Sequence, residues 1–396
     1  MNKQIEKLYN ISRSDSRIII GLMSGTSLDG LDIALCQFFG SGVQTKVKVL
    51  QFKTIAYSIE IKDKILSLFA KKVIPFELFT LVNPWLANIH SEMILKTLKE
   101  WTVDPIEIDA IASHGQTVFH CPKRLHKNND FGNGTFQIVD GDHLAVNTGI
   151  ITISDFRQKH IAAGGEGAPL ALYGDCLLFN KMGVPTILLN IGGIANFTYL
   201  LGNENFIGSK VTDTGPGNTL IDAAIKKYYP HLPYDKDGLI AQTGRVNQKV
   251  LDSWKNMSFF KEPAPKTTGP ELFNLDYMTK TAKEKLGEEL HPPDLLATLT
   301  RLSAETISDA IKREVPNWLD ARKFASGGGF HNKLLMNHLN KLLHNAVFLD
   351  TEMSGIPGDA KEAVLFATLA NETLAGGNTN FGENINVCMG KISLPF

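Results

Sequence analysis

Several short stretches of this chain hold residue types suited to handling a phosphoryl group. Met23 to Gly30 reads MSGTSLDG, small residues whose N–H groups and hydroxyls can cradle an anion, with the Asp29 carboxylate at the rim. A Gly-rich turn of this kind commonly takes phosphate, and an Asp beside phosphates commonly serves magnesium through water. Gly192-Gly193, in TILLNIGGIANFTYLL, repeats the device about 170 residues later. Asp213, in VTDTGPGN, stands at a strand end from which a Gly-Pro-Gly turn directs the chain away, where a turn Asp or a helix cap is the ordinary reading. Gly327, Gly328 and Gly329 lead to Asn332 and a helix. Bare backbone there lets adenosine lie flat, and the helix start favours negative charge. A tight strand-to-helix turn would need about one glycine, not three. In GDAKE, Asp359 is placed as an N-cap with Glu362 three residues on, as in a capping box.

These groups need a frame. Ile18 to Leu22 (IIIGL) is an apolar run too short for a helix, so it predicts a strand. Asp29-Gly30 then closes a turn into a second strand of alternating Leu31, Ile33 and Leu35. Thr186 to Leu201 predicts a second hairpin. Helical spacing covers Ile59 to Phe69 and Ile89 to Leu98. Ile108 to Ala112 reads as a strand ending in Ser113-His114-Gly115-Gln116, and Phe136 to Gly149 as strand, turn and helix. Lys236 to Tyr277 reads as loop-rich, with Lys266, Thr267, Thr268 and Gly269 as a ligand contact, and Asp294 to Arg313 as an amphipathic helix. A duplicated phosphate hairpin is the pattern of the actin, hexokinase and heat-shock ATPase superfold, in which nucleotide lies in the cleft between two like domains. The expected fold is therefore α/β, with duplicated ribonuclease H-like (actin-like ATPase) domains. The expected bounds are 17–150 plus about 365–396 for the first domain and 151–364 for the second, after a flexible lead-in at 1–16.

Seven blocks in order, GLMSGTSLDGLDIAL, ASHGQTV, SDFRQKHIAAGGEGAPL, LNIGGIAN, DTGPGN, PKTTGPELFN and SGGGFHN, resemble the anhydro-N-acetylmuramic acid kinase family from about Gly21 to the end. The resemblance implies an ATP-dependent sugar kinase with magnesium. Gly21, Ser24, Gly25, Thr26, Ser27 and Asp29, with Gly192, Gly193 and Asn196, would hold the ATP phosphates, and Asp29 the magnesium through water. Gly327, Gly328, Gly329 and Asn332 would hold adenosine. His114, Gln116, Arg157, Gly165, Glu166 and Gly167 would line the sugar pocket. A histidine at a strand end is otherwise more often hydrogen-bonded structure. Arg157 suits the lactyl carboxylate of a muramoyl sugar, since a guanidinium fork matches that geometry. Asp213 matches the family's catalytic base and Glu362 a functional glutamate.

The implied reaction is coupled. Asp213 activates a water that attacks the anomeric carbon, the 1,6-anhydro ether opens, and the released 6-oxygen takes the phosphoryl group. N-acetylmuramic acid 6-phosphate results, a step of peptidoglycan recycling. The chain departs from the family pattern at His160 (Asp in the family), Glu166 (Gln) and Pro270 (a basic residue). A kinase of another amino sugar on the same superfold therefore stays open, as does a catalytically silent nucleotide-binding switch.

Composition narrows the field further. Net charge is formally −1, with no basic stripe, so no nucleic-acid partner is expected. Apolar content of 43% and charge of 20% suit a globular enzyme, and 396 residues suggest two domains. Cys36, Cys121, Cys176 and Cys388 lack ligand spacing and read as reduced thiols. The opening residues lack the apolar core of a signal, so a cytoplasmic protein without membrane association is expected; a homodimer is what the family resemblance allows.

Overall fold

The computed structural model describes residues 2–269 and 272–396. The chain forms two compact units. Unit 1 comprises Met1–Phe179, Glu204–Ile207 and Gly355–Phe396, and unit 2 comprises Asn180–Asn203 and Gly208–Ser354.

In unit 1, β1 (Ser16–Ser24), β2 (Gly30–Phe39) and β3 (Lys46–Ala56) form an antiparallel meander. β4 (Ala110–Cys121) lies parallel to β1 on its other side, followed by β6 (Thr152–Ser154), parallel to β4. β5 (Gly134–Ile138) pairs antiparallel with the second half of β4, and β12 (Lys391–Ser393) with β6. The helices are α1 (Lys3–Arg13), α2 (Ile59–Leu66), α3 (Phe76–Trp101), α4 (Lys123–His126), α5 (Gly141–Thr148), α6 (Phe156–Ala162), α7 (Ala171–Phe179) and α15 (Lys361–Ala375). Side chains alternate across a strand. Ile20 and Leu22 of β1 therefore join a core with Ile65 of α2, Leu86 and Ile94 of α3 and Leu144 of α5, while Gly21 turns to the opposite face against Ala363 and Ala367 of α15. Burial on both faces explains why IIIGL reads as a continuous apolar run rather than an alternation.

In unit 2, β7 (Thr186–Ile191), β8 (Ile194–Leu200) and β9 (Lys210–Pro216) form a second antiparallel meander. β10 (Arg322–Ser326) lies parallel to β7, and β11 (Leu349–Asp350) parallel to β10. Around this sheet run α8 (Thr219–Tyr228), α9 (Leu239–Thr243), α10 (Gln248–Lys255), α11 (Ser258–Lys261), α12 (Leu275–Leu286), α13 (Pro292–Glu314) and α14 (Lys333–Leu342). Their core gathers Leu189, Phe197, Ile225, Trp254, Leu299, Ile307 and Leu339. The order β3-β2-β1-β4-β6 in unit 1 thus repeats as β9-β8-β7-β10-β11 in unit 2, with the same senses. The architecture is the duplicated ribonuclease H-like fold of the actin-like ATPases.

Three local expectations are corrected. Residues 3–13, expected to be loose, form α1, capped by the Asn2 side chain and anchored by buried Ile11. Its last carbonyls, orphaned at a helix end, are met by Arg17, whose Nε donates to Ile11 O at 3.0 Å while Nη1 reaches Asn371 of α15 at 3.1 Å. The stretch from Lys236 is not loop throughout. α10 forms because Val250, Leu251 and Trp254 share one buried face and Asn247 caps its start. No capping box opens α15. Its N-cap is Ala360, with no side-chain cap bond, because Gly358–Ala360 is already a 3-10 turn. Among the described residues no helix is long and apolar enough to cross a membrane, and all four cysteines are free thiols.

Candidate active site

The first phosphate-type loop runs from Gly25 to Asp29, between the end of β1 and the start of β2. Leu28 anchors it. This residue is buried, adopts φ +59°, a left-handed conformation that favours glycine, and donates its N–H to Gly25 O at 3.2 Å. Such backbone persists only where surrounding structure over-determines it. Thr26, Ser27 and Asp29 are left exposed. Beneath the loop lies a buried polar chain. The Ser24 hydroxyl donates to Gln116 Oε1 at 2.5 Å, its oxygen is 2.7 Å from the Tyr57 hydroxyl, and that hydroxyl is 2.7 Å from His90 Nε2. Burial lowers the His90 pKa to about 3, so its ring is neutral. Gln116 Nε2 donates to Gly25 O and Thr117 O, each at 3.3 Å. Gln116, expected at the sugar, and Ser24, expected at the phosphates, therefore bond to each other, and both are wholly buried. Gly21 has a packing reason of its own: a Cβ there would stand 1.9 Å from Ala363 O of α15.

A group of carboxylates stands near this loop. Sequence reasoning singled out Asp29, Asp359 and Glu362 but passed over Asp32, whose alternation in LDIAL looked like an ordinary solvent-facing strand position. Its pKa is raised, first by burial and then by Asp359 and Asp29, against the Thr54 hydroxyl that donates to it at 2.5 Å. Glu362 is raised by desolvation, opposed by Lys361, with Asp32 adding to the rise and Arg157 opposing it. Lys361 pairs with buried Asp175 of α7 at 3.0 Å and fixes the first turn of α15, on which Glu362 stands. Among the described residues no three His, Cys, Asp or Glu side chains converge to hold a metal directly. Hard carboxylate oxygens without a closed cage suit magnesium, which keeps several waters.

The expected sugar residues fall in unit 1. His114 and Gln116 lie inside β4, which runs on to Cys121 rather than ending at the Ser-His-Gly-Gln block. Gly115 takes φ +75° within the strand, and pairing with β5 continues the ladder. Arg157 of α6 donates from Nε to His114 Nε2 at 3.0 Å and from Nη1 to Gly167 O at 2.7 Å. As acceptor, His114 Nε2 carries no proton, consistent with a pKa held well below the usual histidine range by burial and then by the Arg157 charge. Burial lowers Arg157 to about 10, so it stays charged at neutral pH. Gly165 and Gly167 frame Glu166, whose carboxylate meets Arg124 of α4 at 3.1 Å on the surface.

In unit 2 the Gly192-Gly193 turn, between β7 and β8, is uncrowded. A Cβ at either position would touch nothing nearer than 3.5 Å. Its carbonyls are occupied: Gly193 O accepts from Gly217 N at 2.8 Å and Gly192 O from Asn218 N at 2.8 Å. Asp213 lies within β9 rather than at its end. It stands opposite Asn196 of β8, itself opposite Asn190 of β7, so three polar side chains form one row across the sheet. Asp213 Oδ2 accepts the Thr268 N–H at 2.7 Å, and Asp213 N donates to Lys266 O at 2.9 Å. Lys266, expected at the ligand, is buried with its ammonium on Phe259 O at 2.5 Å. Asn190 escaped notice because a polar residue ending an apolar run reads as a strand terminus.

The triple glycine has structural reasons that its sequence did not reveal. A Cβ on Gly327, at φ +84°, would meet Asn190 Oδ1 at 2.6 Å, and one on Gly329 would meet Ile191 Cγ2 at 2.2 Å. Only Gly328 is open, with Asn218 Nδ2 at 3.6 Å. Asn332 caps α14, its Oδ1 accepting from Leu335 N at 3.1 Å. Pro270 lies outside the described residues.

Comparison with known proteins gives one consistent family. The family model described as anhydro-N-acetylmuramic acid kinase matches residues 17–386. A protein of that name from Pseudoalteromonas atlantica is 50% identical, covering 100% of both chains. One from Pseudoalteromonas translucida is 48% identical, covering 99% of each. One from Caldanaerobacter subterraneus subsp. tengcongensis is 37% identical, covering 98% of this chain and 100% of the relative.

Proposed function

The chain belongs to the anhydro-N-acetylmuramic acid kinase family, and on that premise we propose that it uses ATP and water to convert 1,6-anhydro-N-acetylmuramic acid into N-acetylmuramic acid 6-phosphate. A 1,6-anhydro sugar has no free 6-hydroxyl, so phosphorylation must accompany ring opening. Asp213 removes a proton from water as that oxygen bonds to the anomeric carbon. The bond from that carbon to the 6-oxygen breaks, and the 6-oxygen takes the γ-phosphoryl group as the bond to ADP breaks. Atoms balance with one water consumed and one proton carried off through Asp213.

The observation that carries the base role is the fixed Asp213 carboxylate, gripped by the Thr268 N–H in a polar row with Asn196 and Asn190. A base must be held within hydrogen-bond reach of its proton, and backbone donors do this without side-chain freedom. The uncrowded Gly192-Gly193 turn and the exposed Thr26, Ser27 and Asp29 suit the phosphates. Magnesium, when bound, neutralises charge spreading over the phosphoryl oxygens, and Asp29 would hold it through water. Gly328 and the backbone around it suit adenosine. Arg157 suits the lactyl carboxylate, since His114 and Gly167 orient its guanidinium. Glu362, an exposed carboxylate at the start of α15 whose pKa is shifted upward, suits proton transfer at the sugar. In the cell this reaction would serve peptidoglycan recycling in the cytoplasm.

The departures at His160 and Glu166 do not favour another sugar, because His160 bonds Gly167 N and Tyr173 and Glu166 turns Oε2 to Arg124 on the surface. Asp213→Asn tests the reading. Turnover should fall by about 100- to 10,000-fold with ATP affinity kept, whereas wild-type turnover would remove Asp213 from the base role.

A further inference from the structure

His160 stands one turn after Arg157 on α6, is buried, and packs against the Gly165–Gly167 loop. Its Nδ1 accepts the Gly167 N–H at 2.9 Å, and its Nε2 lies 3.0 Å from the Tyr173 hydroxyl. Since Nδ1 accepts, the ring is neutral and Nε2 carries the proton donated to Tyr173. The carbonyl of that same Gly167 receives Arg157 Nη1 at 2.7 Å. The fit is tight: a Cβ on Gly165 would stand 2.2 Å from the ring, and Gly165 N donates back to His160 O at 2.9 Å.

We propose that His160 is the positioning residue for Arg157: by taking the Gly167 N–H on Nδ1 it holds the peptide that enters Gly167, and so fixes the residue whose carbonyl, in the next peptide, receives Arg157 Nη1 and aims the guanidinium at the carboxylate of the sugar. The proposal rests on the reading of Arg157 as the carboxylate clamp. It explains why an imidazole serves this position, since any acceptor at the Nδ1 point would hold the same N–H. The Arg157 charge and the neutral Tyr173 hydroxyl are the polar neighbours of the ring, and both burial and Arg157 disfavour its protonation.

Kinetics of the full chain separate positioning from general packing. In His160→Phe, KM for 1,6-anhydro-N-acetylmuramic acid should rise about tenfold, with kcat and the KM for ATP within about threefold of wild type. His160→Asn, whose amide oxygen reaches the Nδ1 point, should bring the sugar KM back to within about threefold. On 1,6-anhydro-N-acetylglucosamine, which lacks the carboxylate, wild type and His160→Phe should share one KM. Gly165→Ala, which pushes the ring aside, should raise the KM for the carboxylate sugar and leave that for the sugar without carboxylate at its wild-type value, should the Phe variant fail to fold. An unchanged sugar KM in both variants, or an equal rise on the sugar without carboxylate, overturns the proposal. Nitrogen-15 NMR of the wild-type protein at pH 7 reads the ring itself, without turnover. A neutral His160 with its proton on Nε2 supports the proposal, and a proton on Nδ1 or a charged ring overturns it. Wild-type protein with the expected tautomer but no turnover of the anhydro sugar counts against the kinase reading alone.

Discussion

Two glycines of one hairpin, Gly21 and Gly25, should respond oppositely to the same substitution. In Gly21→Ala the new methyl would stand 1.9 Å from Ala363 O, 2.8 Å from Ala363 C and 3.1 Å from Ala367 Cβ. Contact for such atoms lies near 3.5 Å, so α15 would have to retreat by about 1.6 Å or β1 bend by as much. The obstacle is helix backbone and cannot rotate away, which places the cost at the upper end of overpacking, about 3 kcal/mol. For a unit of this size that is a fall in Tm of about 6 to 12 °C. Activity should drop as well, because Glu362 precedes Ala363 and moves with it. Gly25 has only Ser27 Oγ, at 3.7 Å, near its would-be Cβ. Gly25→Ala should therefore leave Tm within about 2 °C and raise the KM for ATP, since the methyl would stand where phosphate meets backbone. Thermal unfolding and initial-rate kinetics on both variants decide the matter. A Gly21→Ala protein with wild-type Tm, or a Gly25→Ala protein destabilised as much, would refute the assignment of packing to one glycine and ligand approach to the other.

Lys361→Met removes the ammonium facing buried Asp175, and urea unfolding at pH 7 should show a loss of about 3 kcal/mol, because one charge is left buried without that partner. Asn332→Ala should cost about 1 kcal/mol by uncapping α14, and Asn332→Asp should restore it, as read by thermal unfolding. His90 binds a proton in the unfolded chain below its ordinary pKa of 6.5 but in the native protein only near 3. It therefore contributes a term by which stability rises with pH, lost as pH falls through that window. His90→Leu should flatten the dependence of unfolding free energy on pH by about 1.4 kcal/mol per pH unit between pH 6 and 4, and an unchanged slope would place the proton elsewhere.

The frame of each unit was legible because its signals are local. IIIGL and TILLNI are apolar runs broken by small-residue turns, and the DG and GG turns fix hairpins whatever packs on them. Gly149 ends α5 in the left-handed region, as the Thr148-Gly149 stop suggests. What escaped notice depends on partners distant in sequence. Gly21 answers to Ala363 and Gly329 to Ile191, so a count of glycines could not tell close packing from room for a ligand. The Gln116–Ser24–Tyr57–His90 chain joins β4, β1, the residue after β3 and α3, and no spacing rule links them. The capping box at Asp359 failed although its pattern was right, since the 3-10 turn places Ala360 at the cap. Leu28 did leave a signal, a lone large apolar residue inside a polar loop, which reads as a slip until its side chain is seen to be the loop's anchor.

Ring opening coupled to phosphorylation can be weighed directly. Protein incubated with magnesium-ATP and 1,6-anhydro-N-acetylmuramic acid should yield a sugar heavier by one water and one phosphoryl group, formed in step with ADP. A product heavier by the phosphoryl group alone, or ADP release with the sugar unchanged, would contradict the account.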